Sequence, residues 1–139
     1  MVEGAVREFL LADGPVAAIV GTRGWLLVLP EQPVLPAFRV QLISRVPDYT
    51  HDGESGLYRA RVQVDAVTKV ASGVDPYAQA MTLSDAIHTR LSGYQGEMGS
   101  SSPPLEVSGV FADNRVAFYD AEEKRHVRVV QDFLVLFRQ

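Results

Sequence analysis

The sequence predicts an α+β domain in which a single, mostly antiparallel sheet with a long hairpin carries helices packed on one face. Three observations lead there. Apolar residues recur at helical spacing near the N-terminus and again after Pro76, while Phe38–Val46 and Tyr58–Ala66 carry their apolar residues on even positions, a pattern that only Ile43 and Ser44 break. The closing segment Val127–Phe137 alternates in the same way, with Val127, Val129, Phe133, Val135 and Phe137 set against Arg128 and Asp132.

Taken in order, Val2, Val6, Phe9 and Leu10 fall on one stripe of an amphipathic helix that Asp13, Gly14 and Pro15 should end. Pro15 suits the first turn of a short helical piece through Val20, and Gly21 suits its C-terminal cap. A brief strand is expected from Trp25 to Leu29. Pro30, Pro33 and Pro36 then make a loop, because each removes a backbone donor.

Phe38, Val40, Leu42 and Val46 predict a strand with one buried face, and Tyr58, Ala60, Val62, Val64 and Ala66 predict its partner in a hairpin. The connection Pro47–Leu57 holds Pro47, Asp48, Asp52, Gly53 and Gly56 and is expected to be a long projecting loop. Asp75 and Pro76 are an N-cap and a favourable first residue for a helix whose buried stripe is Ala80, Leu83, Ile87 and Leu91; Gly93 stops it. Tyr94–Pro104 is expected to be a flexible connection. Strands follow at Leu105–Phe111, Val116–Tyr119 and Val127–Phe137, and Leu134 and Leu136 predict partial cover on the second face. Neither a repeat nor a linker divides the chain, so residues 1–139 are expected to form one domain.

Bulk properties narrow the function. The 139 residues include 47% hydrophobic and 22% charged, ordinary values for a folded domain. A net charge of -4, from 13 Lys and Arg against 17 Asp and Glu, offers no global positive field for nucleic acid. Cysteine is absent, which excludes disulfides, thiolate metal sites and a cysteine nucleophile. No apolar run approaches the roughly 20 residues that span a bilayer, and Glu3 is unlike the basic start of a signal peptide. The expectation is a cytoplasmically made protein with no membrane partner.

Chemistry is sparse. His51, His88 and His126 lack a second histidine or carboxylate at metal-motif spacing, and the expectation is no metal and no cofactor. Gly53, Glu54, Ser55 and Gly56 lie between strands, where a nucleophile elbow needs a strand-to-helix turn. Gly21, Thr22, Arg23 and Gly24 lack the lysine of a phosphate loop and read as a cap and turn. Glu122, Glu123, Lys124 and Arg125 read as a solvated hairpin tip. No catalytic residue is expected.

The hairpin offers more. A register pairing Val46 with Tyr58 also pairs Leu42 with Val62, Val40 with Val64 and Arg39 with Asp65, and it sets Arg45 against Arg59 with Arg61 two residues on. Such a basic patch wants acid, supplied by Asp48, Asp52 or Glu54 of the same loop or by a neighbouring subunit. On that exposed loop, Tyr49 would give large contact area at small entropic cost. The interaction candidates are therefore Tyr49, Arg45, Arg59, Arg61, Asp48 and Asp52.

The stretch SRVPDYTHDGESG from Ser44 to Gly56, the RVQVD of Arg61–Asp65, the Tyr77–Leu91 helix and the closing RVAFYDAEEKRHVRVVQDFLVLF resemble the tail completion proteins of long-tailed phages, also called tail terminators or head-tail joining proteins. Glu54 stands where a proline is expected in the loop, and Ala66 where a bulkier residue often closes the second strand. The resemblance implies a structural virion protein, assembled in the host cytoplasm. It would cap the head-proximal end of the tail tube as a ring, a hexamer by the family pattern, and join it to the head connector. Its partners would be itself, the tube protein and the connector or stopper protein, with DNA passing through the lumen unbound. The alternatives are a head completion or stopper protein and, from other classes, a small hydrolase or a ligand-binding domain.

Overall fold

A computed structural model describes residues 1–120 and 125–139. Its elements are α1 (Val2–Leu11), α2 (Gly14–Val20), β1 (Gly24–Leu26), β2 (Ala37–Thr50), β3 (Gly53–Lys69), α3 (Pro76–Leu91), β4 (Gly96–Met98), β5 (Leu105–Tyr119) and β6 (His126–Arg138). The strands form one sheet in the order β1-β2-β3-β6-β5-β4. Among the described strands only β1 and β2 run parallel. The α+β class and the mostly antiparallel sheet are as expected.

The helices form on apolar stripes, and α2 and α3 also carry side-chain caps. The Asp13 carboxylate accepts from the Val16 N–H at 3.3 Å, and the Asp75 carboxylate accepts from Tyr77 and Ala78 at 3.1 and 3.2 Å. Val2, Val6, Phe9 and Leu10 of α1 and Ala80, Leu83, Ile87 and Leu91 of α3 are buried as their spacing predicts. They meet Phe38, Val40, Val62, Val64, Val129, Phe133, Val135 and Phe137 from one face of the sheet, and this is the core. Polar side chains are set into it at Thr68, Ser84 and Gln131. Gln131, 3% exposed, donates to the Ser84 carbonyl of α3 at 2.8 Å and accepts from Arg115 at 3.1 Å.

Among the described residues the opposite face carries no helix. Part of it is nonetheless dry: Asp65 and Val67 are fully buried, where the chain from Leu27 to Pro33 lines a shallow hollow with Arg39 and His126, and Leu134 and Leu136 are half-buried.

Several strand expectations are corrected. β1 stops at Leu26 rather than Leu29, because Leu27 turns with φ +61° and donates its N–H to Val40. There is no long loop at Pro47–Leu57. The ladder closes to Thr50 opposite Gly53, leaving His51 and Asp52 as the turn. Gly53 and Gly56 spend their positive φ on this turn and on an irregularity beside Asp48, so the same residues that signal a loop here build a ribbon.

The register holds from Arg39 with Asp65 through Leu42 with Val62, then slips at Ile43. Beyond this bulge Arg45 faces Ala60, Val46 faces Arg59 and Pro47 faces Tyr58, so neither the Arg45–Arg59 pair nor the Val46–Tyr58 pair exists. The segment Tyr94–Pro104 contains β4, paired with Leu105–Val107. The two expected strands at Leu105–Phe111 and Val116–Tyr119 are one strand, with a bulge between Ala112 and Arg115. Of the expected hairpin tip, Glu122, Glu123 and Lys124 lie outside the described residues.

Candidate interaction surface

The bulge at Ile43 decides which arginines share a face, because one inserted residue inverts the pleat. Arg45, opposite Ala60, turns to the helix-bearing side. Its guanidinium lies 4.0 Å from the Tyr58 ring centroid and donates to Gln139 at 2.8 Å. Arg59 and Arg61 turn to the helix-free side. Arg61 donates to Asp113 at 2.7 Å and sits 3.7 Å from Asp132, and the hydrogen bond to Asp113 raises its pKa above the ordinary value.

The expected basic patch is therefore split between two faces. Arg61 finds its acid on β5 and β6, from neither Asp48, Asp52 nor Glu54. Arg59 is exposed and has no partner among the described residues. Tyr49 is 66% exposed, with only a long contact of 3.5 Å from its hydroxyl to Glu54. Asp48 and Asp52 are exposed beside it. The Tyr58 hydroxyl also donates to Glu54, at 3.2 Å, so Glu54 stiffens the ribbon from within.

Further down the helix-free face, Arg39 and Arg128 converge on the buried Asp65, the second at 3.5 Å. Burial pushes the Asp65 carboxyl up, and Arg39 and then Arg128 pull it back only in part. Its Oδ1 has no hydrogen-bond partner among the described residues.

His51 lies at the ribbon turn, His88 faces the core with its ring 6.4 Å from that of Phe133, and His126 begins β6. Among the described residues no three His, Cys, Asp or Glu gather as a metal group. Arg23, in the expected cap and turn between Gly21 and Gly24, donates to the carbonyls of Pro36 and Ile19, at 2.9 and 3.2 Å, and so ties the end of α2 to the proline segment.

Sequence reading missed one group of surface residues, Phe111, Val116, Phe118 and Tyr119, which are exposed on β5. The adjacent aromatics of Phe118 and Tyr119, one on each face of the strand, were the available signal, since an ordinary half-buried strand hides one and wets the other. The partners of Arg61 were missed because Asp113 sits at the β5 bulge, which the alternation pattern cannot place.

A family model described as Tail completion protein gp17 matches residues 4–138. Among solved structures, the fold matches a chain described as the virion of a native gene transfer agent particle, with a TM-score of 0.70 and 21% identity, covering 99% of this chain and 95% of that chain. No curated protein matches.

Proposed function

This chain belongs to the tail completion protein gp17 family, and from that premise as a tail structural protein we propose that it forms a ring, of six copies, at the head-proximal end of a tail tube and joins the tail to the head connector. The observation that carries this reading is the β2–β3 ribbon. It is anchored in the core at Phe38 and Val40, outruns its neighbour β6 beyond Leu57 and presents Tyr49 at 66% exposure. A stiff arm ending in an exposed aromatic supplies contact area without a large ordering cost.

Within this reading Tyr49 and Arg59 are the contacting residues, with Asp48 and Asp52 at their side. Arg45 and Arg61 are held inside the chain and drop to supporting roles. Their partners in the particle are a second copy, the tube protein and the connector or stopper protein, met in the host cytoplasm where the tail is assembled. The charges of the helix-free face support a lumen through which DNA slides without being gripped. Arg39 and Arg128 are set against Asp65, and Arg61 against Asp113 and Asp132, which leaves Arg59 and Arg138 as its strand arginines without an acid among the described residues. A structural role in the tail asks for no catalytic residue.

Tyr49→Ala and Arg59→Glu, made separately, test the reading. Both should keep the parent melting temperature while unjoined heads and tails accumulate. Normal joining in both variants, or intact tails that carry no ring of this protein at the head-proximal end, would refute it.

A further inference from the structure

The sheet has two open edges, and each is closed at the end where the other is free. On one side β1 covers β2 only at Phe38–Val40, so Gln41–Thr50 has no neighbouring strand among the described residues. On the other, β4 covers β5 at Leu105–Val107 and the Gly93 N–H reaches the Val110 carbonyl at 2.8 Å, so the free stretch is Phe111–Tyr119. Long uncovered edges that expose Ile43, Val46, Phe111, Val116 and Phe118 are what an unpartnered protein avoids.

We infer that the free edge of β5 in one copy pairs antiparallel with the free edge of β2 in the next, so that the sheets run on as one closed wall. This rests on the ring proposed above and says how the ring is made. The occupant is a second copy for three reasons. The two free stretches are nearly equal in length. Across the order β2-β3-β6-β5 the strands alternate in direction, so β5 of one copy already runs opposite to β2 of another. The contact is heterologous, the kind whose repetition closes a ring.

The covered ends fix the offset. In one copy Arg39, Asp65, Val130 and Val116 lie level across the sheet, as do Val46, Arg59, Leu136 and Gly109. Without an offset, β1 and β4 would obstruct most of the overlap. Sliding the incoming β2 clears both, and the slide must be an even number of residues so that like faces meet, which selects about four to six.

That offset can be checked against closure. A slide of about four to six residues at about 3.3 Å per residue, taken over four strands about 4.8 Å apart, tilts the strands by about 35–46°, which matches the 35–45° of closed barrels. The tilt depends on the slide per copy and not on the number of copies. In such a wall the helices, being the thicker layer, lie outside. The face with the paired charges lines the lumen.

Because the chain has no cysteine, paired cysteines report the contact directly. Ser44→Cys with Val116→Cys matches the shorter slide, and Ser44→Cys with Phe118→Cys the longer; all three sites are exposed. Within one chain β3 and β6 separate these positions by about 14 Å, too far for a disulfide, so any bond formed joins two copies. Oxidised tails should give a ladder of covalent oligomers from one of the double variants and none from the single variants. Rings visible in the same sample with no ladder from either pair would overturn the edge pairing while leaving the ring. The absence of rings in parent tails would remove both.

Discussion

Gly24→Ala should be among the most damaging small substitutions in this protein. A Cβ built on Gly24 would lie 2.4 Å from Cζ of Phe38 and 2.9 Å from each of its Cε atoms. Phe38 is fully buried and is the register partner of Gly24 in the parallel β1–β2 pair, so its ring must move about 1 Å into a packed core to reach ordinary contact. Such overpacking costs about 1–3 kcal/mol. For a domain of this size each kcal/mol lowers the melting temperature by about 3–4 °C, so a fall of about 3–12 °C is expected by differential scanning calorimetry. Two further variants isolate the cause. Phe38→Leu in the Gly24→Ala background should recover part of the loss, giving a coupling above about 0.5 kcal/mol in the double-mutant cycle. Gly14→Ala, whose Cβ has nothing within 4 Å and which begins α2, should instead hold or raise the melting temperature. A Gly24→Ala protein that melts with the parent would refute the packing described for β1.

Two other outcomes follow from the caps and the buried acid. Asp75→Ala removes the acceptor for the Tyr77 and Ala78 N–H groups and should cost about 1 kcal/mol in urea unfolding, with an unchanged slope; no loss would mean that α3 is capped by other means. The Asp65 carboxyl is raised by burial, so between its ordinary pKa and its raised value the folded chain holds more protons than the unfolded one, and its contribution to stability falls as pH rises through that window. Melting temperatures of the parent relative to Asp65→Asn should therefore decline from acid toward neutral pH, and a constant or rising difference would contradict the direction.

The helices were legible because their signals are local and redundant. Asp75 followed by Pro76 marks a start, and Ala80, Leu83, Ile87 and Leu91 mark a face; neither depends on the rest of the chain. Strand positions were legible for the same reason, but their register was not. Ile43 inserts one residue into β2, and a register carried unchanged through the break in alternation at Ile43 and Ser44 assigns Arg45 to the wrong face. The segment from Pro47 to Leu57 illustrates a second limit, since Gly, Asp and Ser there suit a loop and a tightly turned, bulged ribbon equally well. At β4 three residues are too few to show any period. Of the interaction residues, the exposure of Tyr49 follows from sequence. The commitments of Arg45 to Tyr58 and Gln139, and of Arg61 to Asp113 and Asp132, depend on long-range pairing that only the folded sheet sets.

The Gln131 amide has a consequence for how singular the folded state is. Aliphatic surfaces such as Leu83 and Ile87 on Val129 and Phe133 have many near-equivalent ways to mesh, and a helix resting on them can slide or rotate slightly at little cost. Gln131 removes that freedom. Among the described residues its donor meets the Ser84 carbonyl and its acceptor meets Arg115, whose other nitrogen holds Asp85 of the same helix at 2.6 Å. Any displacement of α3 strands these groups in a dry interior, where an unmet amide costs about 1–3 kcal/mol. A leucine at 131 could leave the protein as stable yet broaden it into a set of closely spaced packings, visible as multiplied methyl resonances. Every copy in a repeating assembly must present the same shape, and in this fold a buried amide in a mostly apolar layer enforces that uniformity.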